Sequence, residues 1–218
     1  MAPSLWPPLD LRLRTGDMEL RLPNDDEITA LAAIAKAGVH PPDEMPFAVP
    51  WTDQKGAEFD HNFVRFRWHQ RTAIEPKEWT LDFGVFVGGE PVGCQDISAT
   101  DFAELRTVRT GSWLGQRFQG RGIGRLMRQA VLSLAFDHLG AEIAESGAFV
   151  DNPASARVST AIGYEPNGLS RVAPRGVARE MQRYRLTLER WRAQPRPAVA
   201  VDGLEACLEL LGAARSAG

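Results

Sequence analysis

The 218-residue sequence predicts a mixed α/β fold in which a central sheet of about seven strands is flanked by helices. The pair Gly88-Gly89 separates two strand-like runs, which is the strongest hairpin signal of the chain. From Gly122 to Leu139 apolar residues recur at a spacing of three and four, as in an amphipathic helix. The predicted order is a strand, two helices, three strands, a helix, a strand, a helix and two strands, which favours one sheet covered by helices.

The N-terminal half contributes the first strand, two helices and the hairpin. Asn24 or Asp25 can cap the first helix, and the prolines between His40 and Trp51 break either a helix or a strand. The predicted segments are an extended arm at 1–16, a strand at 18–22, a helix from about 25 to 37, a loop at 40–51, a helix from about 53 to 73, and hairpin strands at 79–87 and 91–97.

The C-terminal half alternates strands and helices. Gly140 ends the long helix, and Pro153 stands where the first residue of the next helix belongs. The predicted segments are a strand at 105–114, a helix at 122–139, a strand at 141–150, a helix from 153, and strands at 168–177 and 178–188. The main domain then spans 17–193. Residues 194–218 form a linker and a final helix, whose apolar stripe packs either on the body or on a second copy in a homodimer.

The composition excludes several classes of protein. The 25 Lys and Arg residues are balanced by 28 Asp and Glu, so there is no basic footprint for nucleic acid. Cys94 and Cys207 are too few for a disulfide framework or a thiolate metal site, which fits a reducing cytoplasm. No apolar run approaches the roughly 18 residues of a membrane span. We expect a soluble cytoplasmic protein without a metal, a membrane segment or a stable nucleic-acid partner.

The segment Gln119–Gly124, with the sequence QGRGIG, connects a strand-like run to the long helix. Its alternate glycines let successive backbone N–H groups approach an anion, and the positive end of the helix adds to them. Pyrophosphate is the natural ligand of such a turn. Arg125 stands where a dinucleotide fingerprint needs its last glycine, and the Lys-Ser/Thr of a P-loop is absent. The alternative is a strand-to-helix connection without a ligand.

The motifs GSWLGQRFQGRGIG and DNPASARVSTAIGYEP, in this order, resemble the GNAT superfamily of N-acetyltransferases. The resemblance implies an acyl-CoA core, a sheet splayed between its fourth and fifth strands, and no metal. The second motif is similar to the branch that acylates the N-terminal amine of ribosomal proteins. MPFAVPW, MQRYRL and GLEACLELLG resemble a sub-branch in which some members use succinyl-CoA. The CoA-binding residues that the resemblance implies are Trp113, Leu114, Gln119, Gly120, Arg121, Gly122, Ile123, Gly124, Arg125, Asn152 and Ser155.

The resemblance implies transfer of an acetyl or succinyl group from CoA to a primary amine. The acceptor is a peptide or protein N-terminus or, in the second hypothesis, a small-molecule or antibiotic amine. A non-catalytic acyl-CoA sensor is the hypothesis of another class. Amine-dependent release of the thiol distinguishes the two enzymes from the sensor.

Ser155 matches the family serine near the CoA sulfur, where its hydroxyl can protonate the departing thiolate; otherwise it is a polar residue in a first helical turn. Asn152 can cap that helix through its oxygen and still offer amide hydrogens to the pantetheine arm. The family precedent places the oxyanion on a backbone N–H of the fourth strand, within Gly111–Leu114.

The general base departs from the family pattern. Relatives in this branch often carry a glutamate where this chain has Arg109, so Asp96 and Glu104 become the candidate bases. An α-amino group near pKa 8 costs about 1.4 kcal/mol to deprotonate at pH 7, against about 4.6 for a lysine. A low-pKa amine deprotonated through water therefore remains an alternative to a protein base.

The acceptor side of the site is predicted from three residues. Phe47 and Trp51 follow the first helix and are expected to shape the acceptor pocket, although core packing is the default for such rings. Arg109 is either a surface residue or the cation that pairs with the free carboxylate of a succinyl donor.

Overall fold

A computed structural model describes residues 4–214 and confirms the predicted fold class. One mixed sheet of nine strands has the order β7-β8-β6-β5-β4-β3-β2-β1-β9. The strands are β1 Arg12–Thr15, β2 Met18–Arg21, β3 Glu78–Val87, β4 Glu90–Thr100, β5 Thr107–Leu114, β6 Ile143–Phe149, β7 Glu165–Val172, β8 Arg179–Thr187 and β9 Ala200–Asp202.

The four helices predicted for the main domain lie close to their predicted positions, and two short helices, Phe102–Leu105 and Leu188–Ala193, were not predicted. A full capping box starts the first of the four: the Asn24 side chain accepts a hydrogen bond from the Glu27 N–H, and the Glu27 carboxylate accepts one from the Asn24 N–H. The helices are α1 Asp25–Ala37, α2 Gly56–Thr72, α3 Phe102–Leu105, α4 Ile123–Ser133 with a π-helical continuation Leu134–Leu139, α5 Pro153–Ile162 and α6 Leu188–Ala193. Within residues 4–214, none of these helices is both long and apolar enough to cross a bilayer.

The sheet opens between β5 and β6, as the resemblance implied. These two strands are parallel and pair only at Thr107–Arg109 with Ile143–Glu145. The other neighbouring strands are antiparallel, and β6 turns to β8 for its remaining pairs. Residues 110–114 of β5 therefore have no strand partner on the β6 side, and their backbone groups on that side line an open wedge.

The structure corrects three expectations. The extended arm contains strand β1, which pairs with β2 around Gly16 and with β9, so the sheet has nine strands instead of about seven. The prediction of a final helix is wrong, since residues 205–207 form one 3-10 turn. Gly203 and Gly212 adopt left-handed backbone angles, which interrupt a helix on both sides. Cys207 and Leu211 of this segment are fully buried in the main core of the same chain. Residues 1–3 of the predicted arm and 215–218 of the predicted helix lie outside the described residues.

Side chains on one face of β3, β4 and β5 point toward α2. Because directly paired residues share a face, the register places Asp82, Cys94, Asp96 and Trp113 on this side. A separate hydrophobic cluster covers them. It is formed by Ile28, Leu31, Ala32, Ala35, Val39, Phe59, Phe63 and Cys94. The sheet thus carries its large core mainly on the α4 side and a smaller one, with charged groups beside it, under α1 and α2.

Candidate active site

A groove of about 780 Å³ runs along the wedge between β5 and β6. Its walls come from the end of β5, the glycine turn, the start of α5 and the facing part of β8. Of the predicted CoA-binding residues, those that line it are Trp113, Leu114, Gln119, Gly120, Gly122, Gly124, Arg125, Asn152 and Ser155. The structure therefore brings the two motifs of the sequence together along one open groove.

The glycine turn has the geometry of an anion cradle. Gly120 and Gly122 adopt φ angles of +73° and +81°, and a Cβ added at either would meet nothing within 4 Å. Gly122 precedes α4, whose first N–H groups have no partner inside the helix. Arg125 and Arg157 line the same part of the groove and add positive charge. Backbone donors, a helix start and two arginines together suit a pyrophosphate.

Side-chain contacts refine the other predicted donor residues. Gln119 donates its side-chain amide to the carbonyls of Val39 at 2.8 Å and Leu114 at 2.9 Å, so it holds the end of β5 beside the end of α1. Asn152 caps α5 by accepting a bond from the Ser155 N–H at 3.1 Å. The cap leaves the Asn152 amide hydrogens and the Ser155 hydroxyl available at the groove wall.

A second space, the aromatic cavity, lies on the α2 side of the sheet and measures about 440 Å³. Its rings are in mutual contact, with centroids 5.2 Å apart for Phe47 and Trp51 and 5.6 Å apart for Trp51 and Trp113. The aromatic residues that line it are Phe47, Trp51, Phe59, Phe63, Phe66 and Trp113. Phe47, Gly111, Ser112 and Trp113 line the cavity and the groove together, so the two spaces meet at the middle of β5.

Charged groups form the floor of the aromatic cavity. Arg67 of α2 donates to Asp82 Oδ2 at 2.6 Å and to the Cys94 sulfur at 3.0 Å, and both members of the ion pair are buried. Burial raises the pKa of Asp82, and Arg67 opposes that rise. Burial likewise raises the pKa of the Cys94 thiol, which keeps it neutral and unreactive.

Asp96 is the second carboxylate of this floor and lies where the cavity meets the groove. Its Oδ1 accepts a hydrogen bond from the Gly111 N–H at 2.8 Å. Any side chain at position 111 would place its Cβ 2.5 Å from Asp96 Oδ2, so a larger residue there would displace this carboxylate. Burial and the negative charge of Asp82 raise the pKa of Asp96 to about 7, against the opposing effects of the Gly111 N–H, Arg128 and Arg67.

Arg128 of α4 is a buried cation at the groove wall. It donates to Ser159 Oγ at 3.0 Å and to Ser112 Oγ at 3.3 Å. Among residues 4–214 no carboxylate lies within ion-pair distance of it. Burial lowers the pKa of its guanidinium, and Tyr164 and Asp96 counteract that effect.

Four predicted site residues lie elsewhere. Arg121 is exposed and Ile123 packs against the main core, and neither lines the groove. Glu104 lies on the exposed side of α3, before β5 begins and away from Gly111. Arg109 is 61% exposed along its side chain and lies 3.5 Å from Glu145. The geometry gives Glu104 and Arg109 no contact with either space.

Arg67, Asp82 and Arg128 were not predicted as site residues from the sequence. A signal for Arg67 was present, because it continues the apolar stripe of Phe59 and Phe63 at a spacing of four. An arginine in such a stripe needs a buried carboxylate as its partner.

Within residues 4–214 no cluster of His, Cys, Asp and Glu has the arrangement of a metal site.

Several solved structures share this fold. The structure resembles Mycobacterium smegmatis RimJ in complex with CoA-disulfide, with a TM-score of 0.65 and 20% identity over 87% of this chain and 96% of that one. It also resembles RimL, a ribosomal L7/L12 alpha-N-protein acetyltransferase in complex with coenzyme A, with a TM-score of 0.63 and 20% identity over 81% and 97% of the two chains. A GCN5-related N-acetyltransferase from Brucella melitensis gives a TM-score of 0.66 and 17% identity over 84% and 80%.

These likenesses establish the fold, and a family model extends the finding to the sequence. The model of the acetyltransferase (GNAT) domain matches residues 17–165, which include the glycine turn, Asn152, Ser155 and Asp96. That range covers more than half of the chain. The chain therefore belongs to the GNAT acetyltransferase family.

Proposed function

We propose that this acetyltransferase transfers an acyl group from CoA to a primary amine that enters through the aromatic cavity, with Asp96 as the general base. One observation carries the proposal: groove and cavity meet along Gly111–Trp113, and Asp96 lies against that segment. A thioester lying in the groove and an amine in the cavity would face each other there. The predicted CoA-binding residues that line the groove support this placement of the donor.

Each chemical requirement has a candidate group in this chain. The amine loses its proton to the carboxylate of Asp96 as its nitrogen bonds to the thioester carbon. The oxyanion is stabilised by backbone N–H groups of residues 112–114, because the Gly111 N–H is already bound to Asp96. When the carbon–sulfur bond breaks, the thiolate takes a proton from water or from the Ser155 hydroxyl, which water reprotonates at once. Asp96 releases its proton to solvent, and an amide and a free thiol are the products.

The donor is acetyl-CoA or succinyl-CoA, and the two differ in what they need from the protein. A succinyl group ends in a carboxylate, which needs a cation inside the groove. Arg109 is exposed outside it, whereas Arg128 is buried at the groove wall with hydroxyl partners. We therefore assign any succinyl preference to Arg128, and Arg128→Met should then remove that preference while acetyl transfer persists.

The acceptor is either a peptide N-terminus or a small-molecule amine. The names of RimJ and RimL support the first class, since RimL acts on the α-amine of a ribosomal protein. A neutral-pH base such as Asp96 suits both classes, because it reduces the cost of deprotonating an amine whose pKa is well above 7.

The test is a thiol-release assay with acetyl-CoA and succinyl-CoA, each with and without a pool of peptides and small amines. Amine-dependent release supports the proposal and identifies the acyl group. The Asp96→Asn variant should bind CoA normally and release little thiol. Tight binding of both donors with no release for any amine would contradict the proposal and favour a sensor.

A further inference from the structure

The residues that line the aromatic cavity indicate which part of an acceptor molecule can bind there. Six aromatic side chains surround it, and its rim includes the exposed apolar residues Val49 and Phe66, which are 70% and 51% exposed. A mouth of this kind recognises an apolar body, since buried rings contribute mainly through apolar area. The aromatic faces also tolerate an ammonium group during entry.

The polar groups of the cavity are few and are concentrated at its floor. The floor holds two carboxylates, Asp82 and Asp96, and a single guanidinium, Arg67, which is already bound to Asp82. The remaining polar side chains of the lining are Gln54, Asn62 and Ser112. This arrangement matches one positive charge at the deep end of a ligand. It leaves a ligand carboxylate facing like charge, without a free cation to receive it.

Neighbouring elements hold the walls of the cavity in place and limit what can bind in it. The α1–α2 loop, residues 38–55, forms one wall and is tied down by the turn between β7 and β8. Arg175 binds Asp53 with two bonds of 2.7 and 2.6 Å, and Arg179 donates to the Met45 carbonyl at 2.6 Å. In addition, β3, β4 and β5 are paired with one another below the cavity, and the unpaired edge of β5 at residues 110–114 faces the groove, which the donor occupies in the proposed function. A peptide backbone therefore lacks the main-chain partners that extended peptides normally use.

Together these observations point to one class of acceptor. We propose that the physiological acceptor is a primary monoamine on an aryl or branched alkyl body, with neither a carboxylate nor a peptide group next to the amine. The inference rests on the proposed function, because it places the reacting amine beside Asp96. It selects the small-molecule class over a peptide N-terminus.

The experiment compares acceptors that differ by one feature. 2-Phenylethylamine is the probe, phenylalanine adds a carboxylate, phenylalanyl-glycinamide adds a peptide group without a terminal carboxylate, and ethylamine lacks the apolar body. The kcat/KM measured by thiol release should be roughly 10- to 100-fold higher for 2-phenylethylamine than for any of the other acceptors. Each of those would leave an unpaired polar group or an empty space in the cavity. A peptide that equals or exceeds 2-phenylethylamine would overturn the inference and leave the proposed function intact.

Variants of the cavity provide a matched control. Trp51→Ala should lower kcat/KM for 2-phenylethylamine by about 10-fold or more, since it removes a ring in contact with Trp113. Trp68→Ala should not, because Trp68 lies on α2 outside the cavity lining and binds Asp25 instead. Equal effects of the two changes would overturn the assignment of the acceptor to this cavity.

A binding measurement separates failure of the inference from failure of the proposed function. Tryptophan fluorescence is titrated with 2-phenylethylamine in the presence of CoA, since Trp51 and Trp113 line the cavity. Saturable quenching that Trp51→Ala weakens, without thiol release from any acyl-CoA and amine, would uphold the cavity's selectivity and contradict catalysis. The absence of saturable quenching would overturn the inference even if peptides are acylated.

Discussion

Replacing Asp96 by asparagine tests the general base directly. Asparagine has nearly the same shape and keeps an oxygen that can accept the Gly111 N–H, whose bond to Asp96 is 2.8 Å long. It cannot accept a proton from the amine. Loss of a positioned general base costs about 100- to 10,000-fold in rate, so kcat/KM for the amine should fall by that range. The affinity for CoA should change by less than about twofold, because Asp96 does not line the groove.

The pH dependence follows from the same carboxylate. Burial and the charge of Asp82 raise the pKa of Asp96 to about 7, so the fraction of active base rises as the pH passes through 7. With the wild-type enzyme, kcat/KM should increase through this region and then level off. The groups that face Asp96 and set this value are Asp82, Arg67, Arg128 and the Gly111 N–H. In Asp96→Asn this limb of the profile should disappear.

The contribution of Asp96 to the free energy of unfolding should fall as the pH rises, whereas kcat/KM should increase. A carboxyl whose folded pKa is raised binds more protons in the folded state, so stability is greatest below the unfolded pKa near 4 and falls as the pH rises toward 7. A pKa that moves from 3.8 to about 7 on folding corresponds to at most about 4 kcal/mol at pH 8. Asp96→Asn removes that charge, and urea unfolding should show a gain of about 1 to 3 kcal/mol at pH 8 and little gain at pH 4.

The matched control is Glu104→Gln, which neutralises the other candidate carboxylate of the sequence on the exposed side of α3. It should leave rate, pH profile and stability unchanged. Asp96 is not the base if Asp96→Asn retains more than about a tenth of the wild-type kcat/KM, or if the pH profile of this variant still rises near pH 7. A water-mediated deprotonation of the amine would then be the better account.

Three further substitutions test residues that lie near Asp96 or in the proposed CoA site. Gly111→Ala places a Cβ 2.5 Å from Asp96 Oδ2, so kcat should fall by about 100-fold while the Kd for CoA, measured by calorimetry, stays within about twofold. Gly122→Ala forces an alanine into a φ of +81°, which costs about 1 to 2 kcal/mol and should weaken CoA binding in the same assay. Arg67→Met leaves Asp82 as an unpaired buried charge and should lower the free energy of unfolding in urea by about 3 to 5 kcal/mol. It should also move the acid limb of the rate profile to higher pH.

Most of the fold could be predicted because its local signals are strong. The capping residue of α1, the Gly88-Gly89 hairpin and the apolar period of α4 each act within one segment, so sequence reasoning placed these elements correctly. Strand β1 was missed because it follows the proline-containing segment that was interpreted as an extended arm, although it forms a hairpin with β2. Strand β9 was missed because it is only three residues long and pairs with β1 at the other end of the chain.

Nine of the CoA-binding residues named from the sequence line the groove, whereas the pairing of Asp82 with Asp96 on the cavity floor could not be predicted. A tight hairpin at Gly88-Gly89 that kept its register would place Asp82 opposite Gln95. The irregularity between Val85 and Phe86 shifts the pairing by one residue and brings Asp82 opposite Asp96 instead. The pair of carboxylates that sets the pKa of Asp96 therefore depends on a single bulge, for which the sequence has no clear signal.

The position of the proposed base accounts for Arg109 at the place where the resemblance to the family implied a glutamate. Arg109 and Gly111 share the same face of β5, and Asp96 reaches that face from the neighbouring strand β4. It can do so only because Gly111 has no side chain to occupy the space beside Asp96 Oδ2. A carboxylate supplied by β4 removes the need for one at position 109, whose side chain points into solvent beside Glu145. In the proposed mechanism, the glycine at 111 is therefore what lets the aspartate at 96 serve as the base.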